Sequence, residues 1–142
     1  MTPRDPDFEA RIRESFERQG AMAAFGASIV SIEPGRCTLS MPFGPAASQQ
    51  HGLFHGGVIA TLADSAGGYA AMSLTEPGVE VVTVEYKINF VGRAKGDAIR
   101  AEGRVLRSGR TLTVSQVAVF VEGEAEPCAV AQQTVYAFTP PA

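Results

Sequence analysis

GGVIATLADSAGGYAAMSL, Gly56 to Leu74, is small and apolar on nearly every face and holds one charged side chain, Asp64. Written as a helix it spans roughly 30 Å, and with no polar face to turn toward water it must be buried all round. The rest of the chain therefore has to wrap it. Four stretches after the helix alternate in the manner of strands: VEVVTVEYKINF (79–90), DAIRAEGRVLR (97–107), TLTVSQVAVFVEG (111–123) and CAVAQQTVYAF (128–138), separated by Gly-containing turns such as Ser108-Gly109-Arg110. Before the helix, GASIVSIEPGRCTLSMPF (26–43) reads as a hairpin, two β-prone runs about the turn signal Glu33-Pro34-Gly35-Arg36. A curved antiparallel sheet wrapped around a long central helix, an α+β arrangement, satisfies all of these segments at once.

Nearer the N-terminus, Asp5 and Pro6 suit an N-cap and first helical position, and Phe8, Ile12 and Phe16 recur four apart. A short amphipathic helix is expected from Pro6 to Arg18, docked on the core. Neither an internal repeat nor a linker interrupts the sequence, and the closing TPPA extends neither helix nor sheet. One domain over residues 1–142 is the expectation. A single sheet exposes edges, and the strand near Val81 to Phe90 is long enough that pairing with its copy in a second subunit is the economical way to cover it.

Composition narrows the partners. Of 142 residues, 45% are hydrophobic, and 15 acidic against 12 basic residues leave a net charge of −3. No global positive field exists to hold nucleic acid or an anionic membrane, so an anionic ligand must be met locally. The N-terminal segment alternates charges where a signal peptide needs an apolar run, and no later run is charge-free and strongly apolar over a bilayer's thickness. A soluble, cytoplasmic protein is expected. Cys37 and Cys128 lie in strand-like stretches and suit reduced core thiols rather than a disulfide or zinc site. The pair His51 and His55 has no further histidine to join it, so no metal is expected.

Asp64 demands an explanation, because an isolated carboxylate in an apolar helix must be paired, hydrogen-bonded or protonated. One account has it bind Thr61, Ser65 or a strand backbone, or face a wet subunit interface. The other makes it a general base or nucleophile in a cleft. HGLFHGGVIATLAD (51–64) favours the second. At the helix start, His55 precedes Gly56-Gly57, whose first-turn amides lack intrahelical partners and can approach a ligand oxygen closely, with the helix dipole favouring negative charge there. Asp64 lies roughly 12 Å further along, too far to act on a carbonyl held at its own Gly56. A dimer whose sites take Gly56 from one subunit and Asp64 from the other resolves that distance.

HGGVIATLADSAGGYAA (55–71), TVEYKINF (83–90), GDAIRAEGRVLRSGRTLTV (96–114) and AQQTVYAF (131–138) together strongly resemble the hotdog-fold thioesterase superfamily, in particular the phenylacetic-acid-degradation (PaaI-like) acyl-CoA thioesterases. The resemblance covers about Gly26 to Phe138, and its combination of motifs is specific where HGG alone is weak. It implies a hotdog fold and hydrolysis of an acyl-CoA or aryl-acyl-CoA thioester without metal or organic cofactor, in a homodimer with shared sites that stands alone or pairs into a homotetramer. By position it implies Asp64 as the catalytic carboxylate, Gly56 as the amide that polarises the thioester carbonyl, and Thr83 as the hydroxyl that positions water. Gln49, six residues before His55, takes the place of a family Asn or Gln beside the thioester, with Gln50 as the adjacent alternative, while His55 orients the loop or caps the helix. Gly57 and Phe54 complete the expected substrate contacts, with Leu53 and Tyr69 as further guesses at the acyl lining.

Seven of the 12 basic residues fall between Tyr86 and Thr111. Most suit a solvated strand face. Arg93, Arg107 and Arg110, with the amides of Ser108-Gly109, are the candidates for CoA phosphates, since similar family members hold the nucleotide with this region. Gly67-Gly68 inside the helix is expected to reflect close packing. Two rivals stay open at this point: a hotdog enoyl-CoA hydratase or dehydratase using His55 with Asp64, and a module that binds acyl-CoA without cleaving it.

Overall fold

The computed structural model describes residues 1–141, so of the closing TPPA only Ala142 lies outside it. In chain order the elements are α1 (Phe8–Glu17), α2 (Gly20–Ala24), β1 (Ser28–Glu33), β2 (Arg36–Pro42), a 3-10 turn (Pro45–Ala47), α3 (Gly56–Met72), β3 (Glu80–Phe90), β4 (Ala98–Ser108), β5 (Leu112–Val121) and β6 (Pro127–Phe138). The strands form one antiparallel sheet in the order β1-β2-β4-β5-β6-β3, with α3 against one face, the hotdog architecture. The β1–β2 hairpin turns at Pro34-Gly35, where Gly35 takes φ 79, a conformation that a side chain would strain.

Leu62, Ala66, Ala70 and Met72 of α3 are buried against Leu39 and Met41 of β2, Ile99 and Ala101 of β4, Val117 and Val119 of β5, and Val135 of β6. Each large side chain so buried contributes about 1.5–3 kcal/mol. The helix backbone comes close to the sheet at Gly103, where a Cβ would overlap the Ala66 carbonyl oxygen. Small residues on α3 and glycine on β4 thus bring backbone onto backbone.

Burial is not complete around α3. Gly57 is exposed and Gly56, Thr61, Asp64, Ser65 and Gly68 are half-buried, one stripe at helical spacing that the chain's own sheet leaves open. The expected all-round burial therefore fails on the face that carries Asp64. Gly68 likewise meets nothing within 4 Å, so close packing accounts for Gly67 alone of the glycine pair.

Helix α1 begins at Phe8, later than the expected Pro6 and without a side-chain cap. Asp5 has other work: its carboxylate accepts from the Asp7 N–H at 2.9 Å and from Arg11 Nε at 2.8 Å. Arg11 continues to the Val79 carbonyl at 2.7 Å and to Thr75 Oγ1 at 3.0 Å, tying the N-terminal segment to the chain beyond α3. Ile12 is fully buried, with Phe8 and Phe16 packed beside it, as the four-residue recurrence requires. The one-turn helix α2, unforeseen in the sequence, buries Met22.

Strand β3 differs from its neighbours. None of its residues is buried, and Val82, Val84, Tyr86 and Phe90 are exposed along a sheet edge, whereas β5 alternates buried and half-buried positions.

Cys37 and Cys128 are free and buried, and desolvation pushes the Cys37 thiol up to about 12, with Arg13 pulling weakly the other way. Above the ordinary thiol range the unfolded chain ionises first, so this group destabilises the fold progressively from about pH 9 upward and has no effect below it. In native buffer at pH 8 the Cys37 thiol is expected to resist an aromatic disulfide reagent and to react at once in denaturant, which absorbance of the released thiol reports. Gly103→Ala is expected to lower stability by about 1–3 kcal/mol, read from urea melts.

Candidate active site

Asp64 sits two turns into α3, on the open stripe, and its carboxylate is held on one side only. Oδ1 accepts from Thr83 Oγ1 at 2.7 Å and from Gln133 Nε2 at 3.0 Å. The same amide nitrogen lies 3.2 Å from the Asp64 carbonyl oxygen and 3.2 Å from Thr83 Oγ1. Oδ2 accepts no hydrogen bond among the described residues. The expected alternatives do not hold Asp64: Thr61 Oγ1 donates to the Gly57 carbonyl, and Ser65 Oγ to Gln19 Oε1. Three elements, α3, β3 and β6, therefore meet at one carboxylate.

A cavity of about 240 Å³ opens beside it, lined among others by Gly68, Tyr69 and Val82. Its far wall comes from the N-terminal segment. There Gln19 Nε2 donates to the Tyr69 hydroxyl at 2.6 Å, and Ser15 Oγ lies 3.3 Å from that oxygen. Of the guessed acyl-lining residues, Tyr69 is on this cavity. Phe54 is buried elsewhere, edge-on to Phe43 with ring centroids 5.0 Å apart, and Leu53 lies in the loop before α3.

A second group gathers at the start of α3. His55 is the N-cap of α3, its Nδ1 accepting from the Gly57 N–H at 2.9 Å. The Gly56 N–H has no acceptor among the described residues, and a Cβ at Gly56 would lie 3.2 Å from the Phe90 ring. Gln49 belongs to the same loop: its Oε1 accepts from the His51 N–H, and its backbone N–H donates to the Leu53 carbonyl at 2.9 Å. Gly56 and Asp64 stay two turns apart on one helix.

The basic candidates divide in the same way. Arg93 is exposed in the loop whose Ala94 carbonyl accepts from the Phe54 N–H, beside the start of α3. Arg107 and Arg110 are exposed at the β4–β5 turn, where the Gly109 N–H donates to the Leu112 carbonyl and Ser108 lies near Leu74, beyond the other end of α3. Within one chain these do not converge. Among the described residues no group of three or more His, Cys, Asp and Glu is placed to hold a metal ion. No helix among them is long and apolar enough to cross a membrane.

Gln133 escaped the sequence reading. Its signal was there: along β6, Ala131, Gln133 and Val135 share the inward face, so a polar side chain stands in a core register with 2% exposure.

The Thioesterase superfamily profile matches residues 51–128. The solved structure of a thioesterase family protein from Silicibacter pomeroyi superposes with a TM-score of 0.90 at 41% identity, covering 94% of this chain and 99% of that one. The 1,4-dihydroxy-2-naphthoyl-CoA hydrolase of Listeria monocytogenes is 26% identical over 77% of this chain and 89% of its own. The PaaI protein of the E. coli phenylacetic acid degradation operon shares the fold, with a TM-score of 0.84 at 20% identity over 93% of this chain and 94% of that one.

Proposed function

The chain belongs to the thioesterase superfamily and is a thioester hydrolase, and on that premise we propose that it cleaves an acyl-CoA or aryl-acyl-CoA to the free acid and CoA, with Asp64 as the catalytic carboxylate. The observation that carries the assignment is the one-sided anchoring of Asp64, with Oδ1 held by Thr83 and Gln133 beside an open cavity. A carboxylate fixed through one oxygen keeps the other for a proton or an electrophilic carbon.

In the proposed reaction the substrate carbonyl oxygen takes the Gly56 N–H and the Gln49 side chain, which stabilise the charge that develops when the carbon becomes tetrahedral. Water attacks that carbon, Asp64 takes its proton, and Thr83 Oγ1 orients it. The C–S bond then breaks, and the CoA thiolate leaves with the electron pair. Direct attack by Asp64, giving an anhydride that water opens, uses the same groups in the same places.

Shared sites in a homodimer follow from the two half-sites. Strand β3 is a long edge with apolar side chains exposed in a single chain, and self-pairing there would cover them. Antiparallel pairing of β3 with its copy sets the start of one α3 toward the Asp64 of the other. Arg93 of one subunit would then approach the end of the sheet that carries Arg107, Ser108, Gly109 and Arg110 of its partner, where the nucleotide phosphates of CoA are assigned. CoA as leaving group draws support from the naphthoyl-CoA hydrolase similarity.

Thiol release from aryl, short-chain and medium-chain acyl-CoAs tests the reading. Asp64→Ala of verified fold is expected to lower kcat by about 10²-fold or more, and equal rates would sink the assignment. Subunits carrying Asp64→Ala and Gly56→Pro, each inactive alone, are expected to regain partial activity when refolded together, because one site of each mixed dimer is intact. Proline suits the first helical position and removes the amide hydrogen, and its added carbons meet the edge of the exposed Phe90 ring.

A further inference from the structure

We propose that Gln133 is a positioning residue of the thioesterase reaction, its side-chain amide locking Asp64 Oδ1 so that Oδ2 alone addresses the substrate. This rests on the reading of Asp64 given above.

The amide orientation follows from chemistry. Nε2 faces three oxygens, Asp64 Oδ1 at 3.0 Å, the Asp64 carbonyl at 3.2 Å and Thr83 Oγ1 at 3.2 Å. Turned over, the amide would set its own oxygen against a carboxylate and a carbonyl, acceptor on acceptor. Thr83 donates its hydrogen to the same Oδ1, so the amide and the hydroxyl form a closed triangle with one carboxylate oxygen as its shared acceptor.

A purely structural role fits the surroundings poorly. Gln133 Oε1 is buried with no partner among the described residues, in a strand face otherwise filled by Ala131 and Val135. A residue present only for the core would be apolar there and would leave nothing unsatisfied. The helix also gives way for it: a Cβ on Gly67 would overlap Gln133 Oε1. Glycine within a helix and an unpaired buried acceptor are both unfavourable, and both are found at the buried side chain that donates to Asp64.

Thr83 and Gln133 are not redundant. Thr83 sits on the edge strand β3, whereas Gln133 sits on β6, hydrogen-bonded to neighbours on both sides. Gln133 therefore references the carboxylate to the interior of the sheet.

Gln133→Met keeps the length and removes the donor, and Gln133→Glu keeps the shape and adds a second carboxylate. With the best acyl-CoA of the panel, Gln133→Met is expected to lower kcat by about 10- to 100-fold with KM nearly unchanged. Gln133→Glu sets an acceptor against Asp64 Oδ1 and the Asp64 carbonyl in place of the donor, and is expected to lower kcat at least as far. A folded Gln133→Met with the kcat of the wild type, or one whose loss lies in KM instead of kcat, would overturn the proposal. If Gln133→Met fails to fold, Gln133→Glu decides by the same division between kcat and KM, and loss of fold in both variants would overturn it in favour of a structural role. Failure of this proposal alone shows as a silent Gln133→Met beside an inactive Asp64→Ala, whereas an active Asp64→Ala removes both readings together.

Discussion

A carboxylate on a helix built mostly of small apolar residues is the constraint on which the structure turns. Asp64 is half-buried, and without donors it would be penalised for the water it gives up there. Two donors, from β3 and β6, remove most of that penalty at Oδ1, and the open stripe of α3 keeps the other oxygen in reach of water. The position of the helix across the sheet follows from this as much as from the core. Gly103 lets α3 settle onto β4 and Gly67 admits the Gln133 amide. Larger residues at either position would lift the helix and stretch the bonds to Asp64.

In the proposed reaction the same helix is the reason one chain would be unfinished. Its N-terminus offers an unpaired amide at Gly56, and its middle offers Asp64, on a rod too stiff to bend one toward the other. Folding the chain more tightly cannot unite them. A second α3 running the opposite way can, and the exposed β3 edge is the surface along which that geometry would be built. Completion of the site and pairing of the subunits would then be one event in the proposed enzyme.

Much of the fold was legible because its signals are local. The four strands after α3 and the β1–β2 turn lie where alternation and Pro34-Gly35 put them, and the small residues from Gly56 onward declared a helix packed against a sheet. Errors arose where the deciding contact is distant. Asp5-Pro6 has the form of a helix start, yet Asp5 is drawn to Arg11, which is anchored in turn at Val79. Gly68 looked like its neighbour Gly67, but only a three-dimensional sheet distinguishes the side that meets Gln133 from the side that meets a cavity. Of the candidate site, Asp64 and Thr83 are brought together as the motifs implied. Gln133 was overlooked although its inward parity was readable, since what it touches lies 69 residues away.

The cavity beside Asp64 has two walls of different origin. One is α3 with β3, cross-braced by the sheet and by the carboxylate bonds. The other is Ser15 and Gln19, carried on a short N-terminal segment that is fastened by side chains such as Arg11 and takes no place in the sheet. Substitutions in that segment can change the size and polarity of the cavity while leaving every bond to Asp64 untouched. In the proposed enzyme, with the acyl group placed in this cavity, the chemistry and the choice of acyl group would be separately heritable, and a lineage could explore new substrates by rewriting its first twenty or so residues without relearning how to hydrolyse a thioester.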